Sequence, residues 1–258
     1  MIELKNISLY FFDKTEKHIL KNISWHIQEN ENWILYGKNG SGKTKLLEII
    51  AGYLYPSMGE VIRFASKTFG NDIRDIRKRI GYISISLKDM ISKNESTIDV
   101  ILSGLYASIG LYVEPSGVDI SYAHELLDTI NMNGRANDKF NVLSDGEKQK
   151  ILMLRASINQ PELLLFDEPT MGLDLSARED LLLSIDKISR FKKTSIIFVT
   201  HHIEEITPLF SRILIIENGE CYFCGDIDDA INDEILSSLY KRKISVTRLN
   251  GRYFTILN

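Results

Sequence analysis

The sequence predicts an α/β fold: a parallel sheet with helices, an antiparallel β subdomain at its N-terminal side, and an inserted helical subdomain. Three observations predict it. The apolar run Trp33-Ile34-Leu35-Tyr36 leads into Gly37-Lys38-Asn39-Gly40-Ser41-Gly42-Lys43-Thr44 and then into Leu46-Leu47-Glu48-Ile49-Ile50-Ala51. That order is strand, glycine-rich turn and helix. Residues 163–166 and 196–199 are short continuous apolar runs, the pattern of strands buried on both faces. Ahead of them, from Thr97, the apolar spacing changes to a helical period.

Each element follows in order. Residues 2–12 alternate apolar side chains, and residues 19–27 follow a polar turn at 13–17, so both predict antiparallel strands. Strands there would shield a nucleotide base. Among Tyr10, Phe11 and Phe12, Phe11 is the candidate to stack on it, with core packing as the plainer use of such rings. Further strands are expected at 60–64 and 80–86. Residues 97–111 and 122–130 carry helical spacing and are joined through Glu114-Pro115-Ser116-Gly117. The expected organisation is one domain, 1–258. Residues 1–86 and 161–258 make its α/β core with the β subdomain, and 87–160 make the helical insertion. Heptads and internal repeats are missing, which argues against the long coiled-coil ATPases of DNA repair.

Composition narrows the class. The 258 residues are 44% hydrophobic and 26% charged, a globular balance. A formal net charge of −4 gives no bulk attraction to nucleic acid or anionic lipid. The basic knot at 74–79 fits a solvated helix face. No apolar run approaches a membrane span, and the N-terminus lacks a signal peptide's apolar core, so a cytoplasmic location is expected. Cys221 and Cys224 form a lone C-x-x-C without a second ligand pair; in an extended segment they would face opposite sides, so they are taken as structural. His18, His26 and His124 are isolated and receive no role.

The glycine-rich turn carries the chemistry. Its glycines let successive backbone N–H groups of Gly37, Lys38, Asn39, Gly40, Ser41 and Gly42 point inward as an anion nest. The following helix adds its N-terminal partial charge. Lys43 would reach the β- and γ-phosphates, and the Thr44 hydroxyl would hold Mg²⁺. A nucleoside triphosphate is the implied ligand. The run 163–166 ends in Asp167-Glu168, placing two carboxylates at the C-terminal edge of a parallel sheet, where the P-loop also opens. Asp167 would hold Mg²⁺ through water, and Glu168 would take the proton from an attacking water. An acidic pair after a strand is otherwise a helix cap. His201 follows the run 196–200 at the same edge, where an imidazole would bond the γ-phosphate and orient Glu168. Ser144 and Glu147 of Leu143-Ser144-Asp145-Gly146-Glu147 satisfy the S-x-x-E capping box, so a helix starts there. Taken alone, that stretch is just a capped helix.

Five stretches together resemble the ATP-binding cassette family: residues 37–44, Leu143 to Glu147, 163–168, Gly172-Leu173-Asp174, and Thr200-His201. Their order and approximate spacing are similar to its Walker A, signature, Walker B, D-loop and switch-histidine motifs, and they span nearly the whole chain. The resemblance implies an ATPase whose helical subdomain carries the signature. It implies that two subunits sandwich two ATP molecules head to tail, the P-loop of one facing Ser144 and Gly146 of the other, with Asp174 at the same interface. It further implies docking of the ATP-bound homodimer on separate integral-membrane permease subunits, peripheral to the inner face of the membrane.

Three departures stand out. Asp145 occupies a position that is commonly Gly in the family; an acid suits the first turn of a helix but places negative charge near a partner's phosphate. Glu147 replaces the usual Gln and keeps the capping box. The family's Gln after the strand at 80–85 has no counterpart, because no Gln lies between Gln28 and Gln149; its function is either lost or carried by Ser86 or Lys88. That last departure favours a rival, a soluble cassette serving protein assembly or translation control. A P-loop small-molecule kinase is the other rival, and the stretch Leu143 to Glu147 counts against it. Residues 103–112 and the tail with Asn250-Gly251-Arg252-Tyr253 are similar to molybdate or iron-chelate importers, which implies a metal chelate or oxyanion as solute.

Overall fold

The computed structural model describes residues 1–13, 15–64, 66–67, 73–84, 90–92, 94–106, 108, 110–192 and 194–258. They form two compact units, Met1–Arg77 with Ile196–Asn258, and Lys78–Ser195.

The first unit opens with the antiparallel sheet. Strand Ile2–Asp13 pairs with Thr15–Ile27 on one side and with Met58–Arg63 on the other, and Ser66–Lys67 adds to the far edge. Alternation puts Ile2, Leu4, Ile7 and Leu9 in the core against Leu20, Ile23, Trp25 and Ile27. The register shifts near Asn6 and Asn22, which take φ of 52° and 51°, a conformation asparagine tolerates better than other side chains. The turn is tighter than the expected 13–17, because the second strand already begins at Thr15. The side chains at 12–17 and residues 65 and 68–72 lie outside the described residues.

The second sheet of this unit is built on Asn32–Tyr36. It runs parallel to Ser195–Thr200 and to Arg212–Glu217, and Glu220–Asp226 pairs antiparallel with the latter. Ser195–Thr200 is buried along its whole length, as its unbroken apolar sequence requires. One expectation fails on Glu220–Asp226. A bulge at Tyr222 leaves Cys221 opposite Ile216 and Cys224 opposite Leu214, two residues apart on the partner strand. By register both thiols therefore share one face of the sheet. Both are free and exposed. The chain ends in the helix Asp233–Tyr240 and the hairpin Ile244–Leu249 with Arg252–Leu257, closed by Asn250 and Gly251 at φ 51° and 78°. Two consecutive positive φ angles are what an Asn-Gly hairpin turn supplies.

In the second unit Ile80–Ile83 pairs parallel with the fully buried Leu163–Asp167. Among the described residues the helices Thr97–Ser103, Gly117–Thr129, Asp145–Ser157 and Leu175–Lys192 accompany them. The first is shorter than the expected 97–111 and passes into a 3₁₀ turn, Gly104–Tyr106. The helix Asp145–Ser157 and the turn just after it stop it. Arg155 donates from Nε to the Ser103 hydroxyl at 3.1 Å and from Nη2 to the Ser108 carbonyl at 2.8 Å, and Asn159 bonds the Gly104 carbonyl at 2.8 Å. The second helix begins at Gly117 rather than 122, since Ser116 and Asp119 form a reciprocal capping box.

Candidate functional site

The helix Lys43–Ala51 fixes the glycine-rich loop from its far end. Gly42 stands at φ +106°, and a Cβ there would come within 2.7 Å of Leu20. Only glycine fits that corner. The Lys43 ammonium is buried and donates to the carbonyls of Gly37 at 2.7 Å and Lys38 at 3.0 Å, so it lies across the loop. Ser41 is 5% exposed, and its hydroxyl has no hydrogen-bond partner among the described residues. A buried hydroxyl of that kind calls for an acceptor or donor from outside the chain. Thr44, the next helical residue, is exposed. Asn39 and Gly40 are exposed at the loop's tip.

The loop's entry is tied to the C-terminal helix. Tyr36 and Tyr240 share a hydroxyl–hydroxyl hydrogen bond, and the Lys38 ammonium donates to the Leu239 carbonyl at 2.7 Å. Burial, and then Tyr240, pushes the Tyr36 phenol far above its ordinary pKa; burial raises Tyr240 as well. Behind the loop Arg63, 1% exposed, donates from Nε to the Ile50 carbonyl at 2.7 Å and from Nη2 to the Ile49 carbonyl. It caps the last turn of the loop's helix. Burial lowers its pKa to about 10, still well above neutrality.

His201 follows Ser195–Thr200, half-buried, with its ring centroid 4.1 Å from that of His202. The turn around it is held by Thr200, whose hydroxyl donates to Glu205 and accepts from the His202 N–H at 2.9 Å. Phe11 lies on the antiparallel sheet, 46% exposed and available to a flat ligand. Its neighbour Tyr10 instead packs on the His18 ring, centroids 5.7 Å apart.

The second unit holds the remaining candidates. Asp167 ends its strand nearly buried and accepts from the Tyr82 hydroxyl at 3.3 Å. Glu168 takes φ 48°, and its carbonyl accepts from Met171 N–H at 3.1 Å. A left-handed conformation costs a non-glycine residue about 1–2 kcal/mol, and such outliers gather at functional sites. The capping box at Ser144 forms: its hydroxyl accepts from the Glu147 N–H at 3.3 Å, and Glu147 accepts from the Ser144 N–H at 2.8 Å. Gly146 is buried, and a Cβ there would meet the Ala177 Cβ at 2.9 Å. Asp145 is exposed, and its carboxylate lies 4.0 Å from Lys148. Asp174 accepts from the Ala177 N–H at 2.8 Å and so caps Leu175–Lys192.

Sequence reasoning missed the supports. Arg63, Tyr82, Arg135 and Tyr240 each hold a candidate residue or its helix, and none stands in a recognisable spacing to what it holds. The capping use of Asp174 was open to a search for an acid three residues ahead of a helical N–H. Ser86 and Lys88, the two candidates for the absent Gln's function, lie outside the described residues. Among the described residues no helix is long and apolar enough to cross a membrane.

Comparison with known proteins identifies the family. The ABC transporter family matches residues 20–171, more than half of the chain. The uncharacterized ABC transporter ATP-binding protein YlmA of Bacillus subtilis is 40% identical over 98% of this chain and 96% of its own length. YmeB of Lactococcus lactis, with the same description, is 34% identical over 99% and 98%. A dimeric post-hydrolysis structure of the ATP-binding cassette MJ0796, bound to ADP and Pi, superposes with a TM-score of 0.75 at 27% identity, covering 88% of this chain and 99% of that one. Relatives from Treponema denticola and Clostridium novyi, at 31% and 30% identity, are named for import of phosphonates and of spermidine/putrescine, so the match carries no single solute. The chain therefore belongs to the ABC transporter family, as an ATP-binding and ATP-hydrolysing subunit.

Proposed function

We propose that residues 1–258 act as one cassette that energises solute transport through separate integral-membrane permease subunits. The carrying observation is the loop at 37–44, with Lys43 lying on the carbonyls of Gly37 and Lys38 beside the unpartnered Ser41 hydroxyl. In this reading the backbone of residues 37–42 and the Lys43 ammonium bind the ATP phosphates, and Phe11 stacks on the base. Thr44 and Asp167 hold Mg²⁺, which takes one or two protein oxygens besides phosphate and water. When bound, the ion neutralises charge between the β- and γ-phosphates. Glu168 removes the proton from the attacking water, and His201 orients the pair.

Ser144, Gly146 and Asp174 are assigned to the partner's nucleotide across a two-fold homodimer that ATP closes. The dimeric form of the MJ0796 cassette supports this assignment. Closure drawn from binding energy shifts the permease between states by the differential affinity of ATP for them. The location follows as cytoplasmic, on the inner face of the membrane. A metal chelate or an oxyanion is the proposed solute, on the similarity of residues 103–112 to such importers.

Two measurements test the reading. Glu168→Gln is expected to abolish turnover while ATP drives it into a stable dimer on gel filtration; hydrolysis at the parent rate removes Glu168 from its role. The chain is expected to co-purify from native membranes with a multi-span protein that stimulates its ATPase activity. Recovery with soluble assembly or translation factors alone would replace transport by the rival role.

A further inference from the structure

Both neighbours of Gly37 are tied to consecutive residues at the end of the C-terminal helix. Tyr36, 1% exposed, has its hydroxyl on that of Tyr240. Lys38 donates to the Leu239 carbonyl at 2.7 Å and stands 5.0 Å from the centroid of the Tyr240 ring. Leu239 lies in the last turn of Asp233–Tyr240, whose carbonyls lack intrahelical donors and carry the negative end of the helix dipole. A lysine ammonium is a fitting cap there. Its pairing with Glu217 at 3.6 Å is solvent-exposed and adds little.

From the opposite side Gly37 itself is pressed against the sheet, since a Cβ there would fall 2.3 Å from the Ile216 carbonyl. Residues 36–38 are thus fixed from two directions. The carbonyls of Gly37 and Lys38 are the very acceptors on which the Lys43 ammonium rests. A shift at residues 36–38 therefore moves Lys43.

We infer that Tyr240 and the Leu239 carbonyl are a positioning element for the phosphate-binding loop: through Tyr36 and Lys38 they set the loop entry and hence the seat of Lys43. The inference rests on the reading that residues 37–44 hold the nucleotide phosphates. Tyr240 touches no nucleotide in this scheme. The Lys38 ammonium serves the C-terminal helix rather than the phosphates, and the segment beyond residue 230 becomes part of what determines ATP affinity.

The test is calorimetric binding of a non-hydrolysable ATP analogue with magnesium to the full chain, with the unfolding midpoint recorded for each variant. Tyr240→Phe removes one hydroxyl contact and leaves the ring. It is expected to raise Kd about three- to ten-fold, the scale of one buried hydrogen bond. Lys38→Met is expected to do the same, and the double variant to fall short of the product of the two, because they act on one segment. Tyr253→Phe is the matched control. It removes a hydroxyl bonded to Asp228 in the same C-terminal region and is expected to leave Kd unchanged. If Tyr240→Phe binds like Tyr253→Phe, the inference is overturned. If Lys38→Met weakens binding while Tyr240→Phe does not, Lys38 acts on the phosphates directly and the inference is again overturned. Lys43→Ala separates the two levels: unchanged affinity there removes the phosphate-loop reading itself, whereas lost affinity with a silent Tyr240→Phe removes only the positioning role.

Discussion

Arg135 donates from Nη1 to the Glu147 carboxylate at 3.0 Å while the other oxygen of that carboxylate closes the capping box on the Ser144 N–H at 2.8 Å. One side chain thus accepts from two donors, and both fix the start of Asp145–Ser157. A glutamine at this position has a single carbonyl oxygen and would turn its amide N–H₂ toward one of them. Glu147→Gln is expected to lower stability by about 0.5–1 kcal/mol, and Ser144→Ala by about 1 kcal/mol. Urea unfolding of both variants measures the difference; equal stability of Glu147→Gln and the parent would show that Arg135 contributes nothing there.

Gly146 sets the approach of two helices. With a Cβ 2.9 Å from that of Ala177, Gly146→Ala must push Asp145–Ser157 away from Leu175–Lys192. A loss of about 1–3 kcal/mol is expected, as for other overpacked contacts. The companion change Ala177→Gly should restore most of it. A thermal-melt cycle on the two singles and the double reads the coupling directly.

Arg63 is the buried cap of the loop's helix. Arg63→Met keeps much of the volume but leaves the Ile50 carbonyl without its side-chain donor and the Ile49 carbonyl with only the Gly52 N–H at 3.1 Å. The expected cost is about 2–4 kcal/mol. Arg63→Lys should recover only part of it, since one ammonium cannot reproduce the fork that reaches two carbonyls. Denaturant midpoints for the pair decide this.

Alkaline stability provides a fourth measurement. Burial, together with its hydrogen bond to Asp228, pushes the Tyr253 phenol up to about 12 from an ordinary value near 10. The folded state therefore holds this proton more tightly than the unfolded chain. Its contribution is fully present below pH 10 and fades as pH rises toward 12. Tyr253→Phe should be less stable than the parent at pH 9, with the gap narrowing by pH 11.5. A constant gap over that range would mean that the phenol does not titrate between the two states.

Much of the architecture was legible because its signals are local and periodic. The unbroken apolar runs at 163–166 and 196–199 became buried parallel strands, and Ser144 with Glu147 formed the capping box its spacing announces. What escaped was set by partners distant in sequence. The helix from Thr97 stops early because Arg155 and Asn159, some fifty residues on, take up its terminal groups. The phase of Glu220–Asp226 changes at one residue, which alternation alone cannot reveal. The Ser116 start was visible in principle, since Asp119 stands in for the glutamate of the usual pattern. Candidate-site residues were found by motif, while the groups that orient them, Tyr82 and Arg135, answer to geometry that no motif encodes.

The extra residue at Tyr222 makes the two thiols neighbours on one side of their strand, about 6–7 Å apart along the chain direction, near the upper limit a disulfide spans. Such a pair is a ready two-point anchor for a bifunctional arsenical or mercurial probe, requiring no engineered residue. A label held at both ends cannot swivel, so its orientation would report the attitude of the sheet bearing the nucleotide loop. Deleting Tyr222 would straighten the ribbon yet leave the thiols two positions apart on the same side, so the double attachment should survive the loss of the bulge.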